Sequence, residues 1–147
     1  MSDDESPVTK RQYESLANFR YELRRYLRYS EQVIRKHGLT PLQYQLMLQV
    51  RGYPGRDWAT ISELAERLQA KHHGVVALIT RCVKRGLLVR AEHEEDRRTV
   101  RIQLTAKGES ALRKLAQLHR DELLAQRGHF KVPGLREMGG GKQPRPL

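Results

Sequence analysis

The chain predicts a mainly α-helical fold carrying one small β-hairpin. Three observations lead there. Apolar residues recur at three- and four-residue intervals through five stretches. Two short runs, Leu87–Arg90 and Thr99–Leu104, flank a charged turn as the strands of a hairpin would. Breakers and caps (Gly38, Thr40-Pro41, the Gly52-Tyr53-Pro54-Gly55 turn, Thr60, Gly86, Thr105) separate these stretches.

In order along the chain, residues 1–10 form an acidic, polar tip expected to be disordered. From Gln12 to Lys36, Leu16, Phe19, Leu23, Tyr26, Leu27, Ser30, Val33 and Ile34 line one face of a long helix, with Arg20, Arg24, Arg25, Arg28 and Glu31 mostly opposite. At about 1.5 Å per residue it spans about 38 Å, more than a small helical core covers, so part of its stripe is expected to pack on a second subunit. Gly38 ends it. Thr40-Pro41 reads as an N-cap with proline at the first helical position, opening a helix through Leu42, Tyr44, Leu46, Met47 and Val50. Thr60-Ile61-Ser62-Glu63 reads as a capping box, and Ile61, Leu64, Ala65 and Leu68 mark the buried face of the short helix it starts.

The next helix is expected at about Lys71 to Arg85. Val75, Leu78, Ile79, Cys82 and Val83 are spaced to face a core, leaving His72, His73, Val76, Ala77, Thr80, Arg81 and Lys84 outside or on the flanks. Two short helices, a tight link and a one-sided stripe make a helix-turn-helix pattern. Gln69-Ala70-Lys71 offers no preferred capping side chain, so this helix start relies on tertiary contacts or offers its open N–H groups to a phosphate. Gly86 closes it, the hairpin follows with its turn at Glu94-Glu95-Asp96-Arg97-Arg98, and Thr105 caps a last helix carrying Ala111, Leu112, Leu115, Leu118, Leu123 and Leu124. Residues 128–147, interrupted by glycine and proline, are expected to be irregular or flexible.

Composition narrows the function. The 147 residues carry a formal net charge of +11. Apart from the acidic start the excess is spread evenly, net +5 over residues 9–50, +4 over 51–101 and +5 over 102–147. Such a field attracts polyanions, although basic proteins are sometimes simply soluble. No apolar run has the length of a membrane span, and the acidic start is no signal peptide, so a cytoplasmic protein is expected. The single cysteine, Cys82, excludes an intrachain disulfide, sits at a core position and reads as a buried structural thiol. There is no phosphate-cradling glycine motif, no zinc spacing and no nucleophile–base arrangement; an enzyme, a metal site and a cofactor are not expected.

The outward face of the Lys71–Arg85 helix suits major-groove reading. His72, His73 and Thr80 can hydrogen-bond base edges, Val76 and Ala77 can meet a thymine methyl, Gly74 permits close approach, and Lys71 and Arg81 supply charge. The competing reading makes His72 and His73 ordinary solvated positions; metal binding is disfavoured because adjacent helical side chains diverge. At the hairpin tip, Asp96 and Arg98 project to one side if extended and Arg97 to the other. Arg98 has the reach and planar donors for a narrow minor groove, while Asp96 and Arg97 support the tip. A solvated charge run is the alternative.

Four stretches then carry a resemblance: Gly38-Leu39-Thr40-Pro41, Ile61-Ser62-Glu63-Leu64-Ala65-Glu66-Arg67-Leu68, Val83-Lys84-Arg85-Gly86-Leu87-Leu88, and Asp96-Arg97-Arg98 followed by Val100, Leu104-Thr105 and Gly108. In order and spacing, over about residues 12 to 125, they resemble the MarR family of bacterial winged helix-turn-helix transcriptional regulators. The resemblance implies a winged helix-turn-helix domain at 39–105 and a homodimer built from terminal helices at 11–38 and 106–127, with Leu16, Phe19, Leu115, Leu118 and Leu123 as contacts. It implies a recognition helix at Lys71–Arg85, Arg98 in the minor groove and Asp96 as the structural acid of the wing. The function implied is sequence-specific binding of a pseudo-palindromic double-stranded DNA operator, as a repressor. Many such regulators release DNA when a small phenolic or other aromatic acid enters a cleft, for which Tyr26, Tyr29, His37, Tyr44 and Trp58 are the candidates. The chain departs from the family pattern at Lys71-His72-His73-Gly74, where many relatives are rich in serine or threonine, so base preferences do not carry over. A winged-helix module for protein contact and a sequence-indifferent architectural DNA-binding protein remain the alternatives.

Overall fold

The computed structural model describes residues 6–93, 96–126 and 130–139, without the side chains of residues 93, 96–98 and 135. In chain order the elements are α1 (Lys10–Lys36), α2 (Pro41–Arg51), β1 (Trp58–Thr60), α3 (Ile61–Leu68), α4 (His72–Lys84), β2 (Leu88–His93), β3 (Asp96–Leu104), α5 (Ala106–Ala125) and α6 (Leu135–Met138). The chain forms two compact units, Ser30–Asp121 and a smaller one made of Met1–Tyr29 with Glu122–Leu147.

Within the larger unit the helices begin and end where local chemistry dictates. Thr40 caps α2 and Thr60 caps α3, each in a reciprocal box: Gln43 N–H donates to Thr40 Oγ1 (3.2 Å), Glu63 N–H to Thr60 Oγ1 (3.3 Å), and the two side-chain oxygens accept the cap N–H groups in return. Gly38 and Gly86, at φ +79° and +72°, supply the left-handed residue that stops α1 and α4. In each case the glycine N–H and the one after it fold back onto the last turn, Gly38 to Arg35 and Leu39 to Ile34, Gly86 to Val83 and Leu87 to Cys82. The turn between α3 and α4 needs the same conformation and uses Gln69 at φ +50°, whose side-chain amide bonds back to the Glu66 carbonyl at 2.8 Å.

The sheet is antiparallel in the order β1-β3-β2. β1 pairs Trp58 with Gln103, Ala59 with Ile102 and Thr60 with Arg101. This third strand is not anticipated by the sequence pattern: three residues are too few to show alternation, and a capping box dominates the same stretch. The hairpin is also longer than expected. Asp96, Arg97 and Arg98, read as turn, have strand backbone in β3, because the strands of an exposed hairpin need no apolar alternation to pair.

One core joins these elements. Ile34, Leu46, Met47, Val50, Ala59, Leu64, Val75, Ile79, Cys82, Leu88, Ile102 and Leu115 are all buried. Leu115, expected at a dimer seam, is fully buried among residues of its own chain. Periodicity identifies a buried position without saying which neighbour covers it. Beside this core the buried His119 donates from Nδ1 to the Leu115 carbonyl (2.7 Å), meets Ser30 Oγ through Nε2 (2.7 Å) and stacks on Tyr44 at 4.7 Å.

In the smaller unit α1 starts at Lys10, before the point where apolar periodicity begins, because Thr9 and Gln12 form another reciprocal cap. Lys10, assigned to the tip, is therefore helical. Phe19 meets Phe130 with centroids 5.9 Å apart, and Phe130 lies 6.5 Å from Tyr26. The segment read as irregular contains one helical turn, α6, where Glu137 Oε2 accepts from Ser15 Oγ (3.0 Å) and from Gly134 N–H (3.2 Å). Leu16, Tyr21, Leu27, Leu123 and Leu124 are exposed.

Candidate nucleic-acid interface

α4 is built to show one face to solvent. Val75, Leu78, Ile79 and Cys82 are buried in the core, and burial pushes the Cys82 thiol pKa up against the opposing charges of Arg85 and Arg81. On the other side Lys71, His72, His73, Gly74, Ala77 and Arg81 are exposed, with Val76 and Thr80 half-buried. Lys71 occupies the N-cap position in extended conformation and makes no side-chain cap, so the first N–H groups of α4 lack the capping acceptor that α2 and α3 possess. A Cβ built on Gly74 meets nothing within 4 Å, so the backbone there is open to an approaching partner.

The wing sits beside that helix start. His72 borders a cleft of about 360 Å³ together with Thr60, Ile61 and Ser62 from the start of α3 and with Thr99 and Val100 from β3. A polyanion lying on α4 would therefore meet the α3 start and the wing strand together. Asp96, Arg97 and Arg98 belong to β3 by backbone; their side chains lie outside the described residues, as do residues 94 and 95.

Thr80 plays a different part from the one its hydroxyl suggests. It donates to the Val76 carbonyl (3.0 Å) and accepts from an Arg90 guanidinium N–H (2.8 Å). The proton is spent inside the helix, and the donor standing at this place is Arg90 of β2, which joins wing to helix. From the sequence Arg90 is an ordinary strand residue; an arginine four residues after Gly86 is the signal, legible only once β2 is paired with β3.

The α3 start is held by Glu63. Burial would raise its carboxyl, but bonds from Tyr53, from the Thr60 backbone and hydroxyl, and from Arg56 outweigh that and hold its pKa at about 2. It pairs with Arg56, so the turn before β1 is tied to α3.

The candidate ligand residues belong to both units, His37, Tyr44 and Trp58 to the larger and Tyr26 and Tyr29 to the smaller. Tyr44 is buried against His119, Trp58 packs under Arg56 and Arg101, and exposed His37 bonds the Val33 carbonyl. In the smaller unit Tyr26 meets Phe130, burial raising its phenol pKa with help from Tyr29 and Glu122; Tyr29 is half-buried. A cleft of about 500 Å³ lined by Glu31, Arg35, Leu42, Leu78 and Arg81, among others, includes none of them.

Among the described residues no helix is long and apolar enough to cross a membrane. Residues 37–99 match the MarR family model. An uncharacterised HTH-type transcriptional regulator of Bacillus cereus is 35% identical over 83 residues, covering 56% of this chain and 52% of the relative; the chain thus matches about half the length of that protein. Among solved structures, a MarR family protein from Bacillus stearothermophilus superposes with a TM-score of 0.71 at 19% identity, covering 83% of this chain and 84% of its own. AbsC, a MarR family transcriptional regulator from Streptomyces coelicolor, gives 0.67 at 24% identity over 84% and 81% of the two chains. Over residues 37–99 this chain matches the MarR family, and its fold is that of the family's winged helix-turn-helix regulators.

Proposed function

We propose that the chain is a cytoplasmic, homodimeric, sequence-specific double-stranded DNA-binding regulator of transcription, acting as a repressor. The observation that carries this reading is α4 itself: one face buried in the core, the other exposed, its N-terminus uncapped, and a wing strand at its shoulder. Two copies present their α4 helices to successive major grooves of a pseudo-palindromic site, about 34 to 36 Å apart. Lys71, His72, His73, Gly74, Val76, Ala77 and Arg81 face the bases, with Arg90 supplying the donor beside Thr80, and Arg98 enters the minor groove supported by Asp96 and Arg97. The net charge of +11 supplies affinity through phosphates and the helix face supplies selection.

A small aromatic acid is the regulatory input this reading expects. It acts only by binding one spacing of the two α4 helices better than the other. Tyr26, Tyr29, His37, Tyr44 and Trp58 remain its candidate contacts.

The test is binding of the purified full chain to a short duplex enriched from random DNA, titrated against salt and against unrelated competitor. Affinity should fall steeply with salt, and unrelated duplex should compete at least about a hundredfold less well. Equal competition would make the chain a sequence-indifferent DNA coater; absence of salt-dependent binding would leave a protein-contact module.

A further inference from the structure

On the outer side of the sheet two aromatic rings gather three arginines. The Arg56 guanidinium carbon lies 4.1 Å from the centre of the Tyr53 ring and 4.0 Å from that of Trp58. Arg101 lies 3.7 Å from the Trp58 ring and Arg67 5.2 Å from the Tyr53 ring. The run Arg67, Tyr53, Arg56, Trp58, Arg101 thus links α3, the turn before β1, and β3. Among the described residues the one ion pair these arginines make is Arg56 with Glu63. Arg101 keeps a buried Nε with no hydrogen-bond partner.

Stacking on a ring occupies the face of a guanidinium and leaves its in-plane N–H edge for another group. Three such cations answered by one carboxylate repel each other, and a row of phosphates would relieve that repulsion. Single-stranded nucleic acid, which needs open ring faces for its bases, fits less well because arginines already contact those faces.

Position gives the direction. Residues opposite one another in an antiparallel pair share a face, so Trp58, Thr60, Arg101 and Gln103 stand on one side of the sheet, with Thr99 two residues along. Thr60 and Thr99 border the cleft shared with His72. The arginine ladder starts next to that cleft, where Arg101 pairs with Thr60, and runs through Arg56 to Arg67 at the end of α3. We infer that this ladder carries the sugar–phosphate backbone of the bound duplex beyond the bases that α4 reads, with Arg67 and Arg101 as the phosphate contacts. The inference rests on the DNA-binding function proposed above and lengthens its footprint.

Full-length Arg101→Gln and Arg67→Gln, each checked for an unchanged melting temperature, are titrated with the enriched site in two lengths: ending at the bases under α4, or extended by about one helical turn on each side. On the long duplex each variant should bind about three- to tenfold more weakly. The slope of log affinity against log salt should fall by about 1 for every phosphate contact removed. On the short duplex variant and wild type should bind alike. Trp58 is the only tryptophan, so its emission should change with the long duplex and not with the short one. Equal salt slopes for wild type and both variants on the long duplex, or equal losses on both lengths, would overturn the inference while leaving DNA binding intact. Unchanged DNA slopes with ladder-dependent binding to polyglutamate would assign the surface to an acidic protein and overturn it too. If wild type binds neither duplex in a salt-dependent way, the DNA-binding reading fails and the ladder's role with it. Should Arg101→Gln fail to fold, exposed Arg67→Gln decides alone.

Discussion

Glu63 has two duties, since one carboxylate caps α3 and holds Arg56. Its pKa in the folded chain is about 2, against an ordinary value near 4.5. A carboxyl depressed on folding stabilises the fold fully above the unfolded value and loses that contribution as pH falls from about 4.5 to about 2. Glu63→Gln should therefore cost about 2 kcal/mol at pH 7, with the gap to wild type narrowing through that window. Urea unfolding at pH 7 and pH 3 measures it, and an equal gap at both values would remove the electrostatic explanation. Arg98→Ala should weaken operator binding about tenfold or more, in line with about 1–3 kcal/mol for a good groove contact, while the dimer sediments unchanged. An unaltered dissociation constant at matched salt would take Arg98 out of the groove. Much at this scale was legible in the sequence: the caps at Thr40, Thr60 and Thr105 and the outward set on α4 all depend on spacing within one turn. The Thr80–Arg90 bond was not, because the pairing register that aims Arg90 at α4 is a tertiary fact.

Two glycines show how elements are constrained by what they meet. A Cβ on Gly108, in the first turn of α5, would lie 2.1 Å from the Leu87 carbonyl oxygen and 3.0 Å from Leu104 Cδ2. That approach lets Thr105 N–H reach Leu87 and lets the Lys107 ammonium reach the Arg85 carbonyl at 2.9 Å, tying α5 to the end of α4. Gly108→Ala should destabilise the chain by about 3 kcal/mol. Gly74 is the reverse case, with open space where its Cβ would stand. Gly74→Ala should raise stability by about 0.5 kcal/mol through helix propensity yet weaken binding to the enriched site if backbone approaches DNA there. A melting curve paired with a binding titration separates the two effects, and a stabilised variant with unchanged affinity would dismiss close approach at Gly74. Helix boundaries could be read from sequence because caps are local. β1 escaped because its three residues pair only with β3, with partners 41 to 45 positions further along the chain.

At the scale of the whole molecule, the proposal requires two copies. Leu16, Tyr21, Leu27, Leu123 and Leu124, all in the smaller unit, are exposed, and covering apolar area of this kind is worth about 25 cal/mol per Å². Leu123→Glu should shift sedimentation at about 10 µM from dimer toward monomer, whereas Leu115→Val should leave the dimer intact and lower the melting temperature, since Leu115 belongs to the core of its own chain. Sequence periodicity placed both leucines on the same stripe and could not assign them to different neighbours.

If two α4 helices read one duplex together, fragments of random DNA selected by the purified full chain carry the mark of both. Enriched sites should show twofold symmetry with half-site centres about 10 base pairs apart, lost when His72 and His73 are both replaced by alanine. Enrichment without symmetry, or symmetric sites indifferent to that replacement, would contradict it.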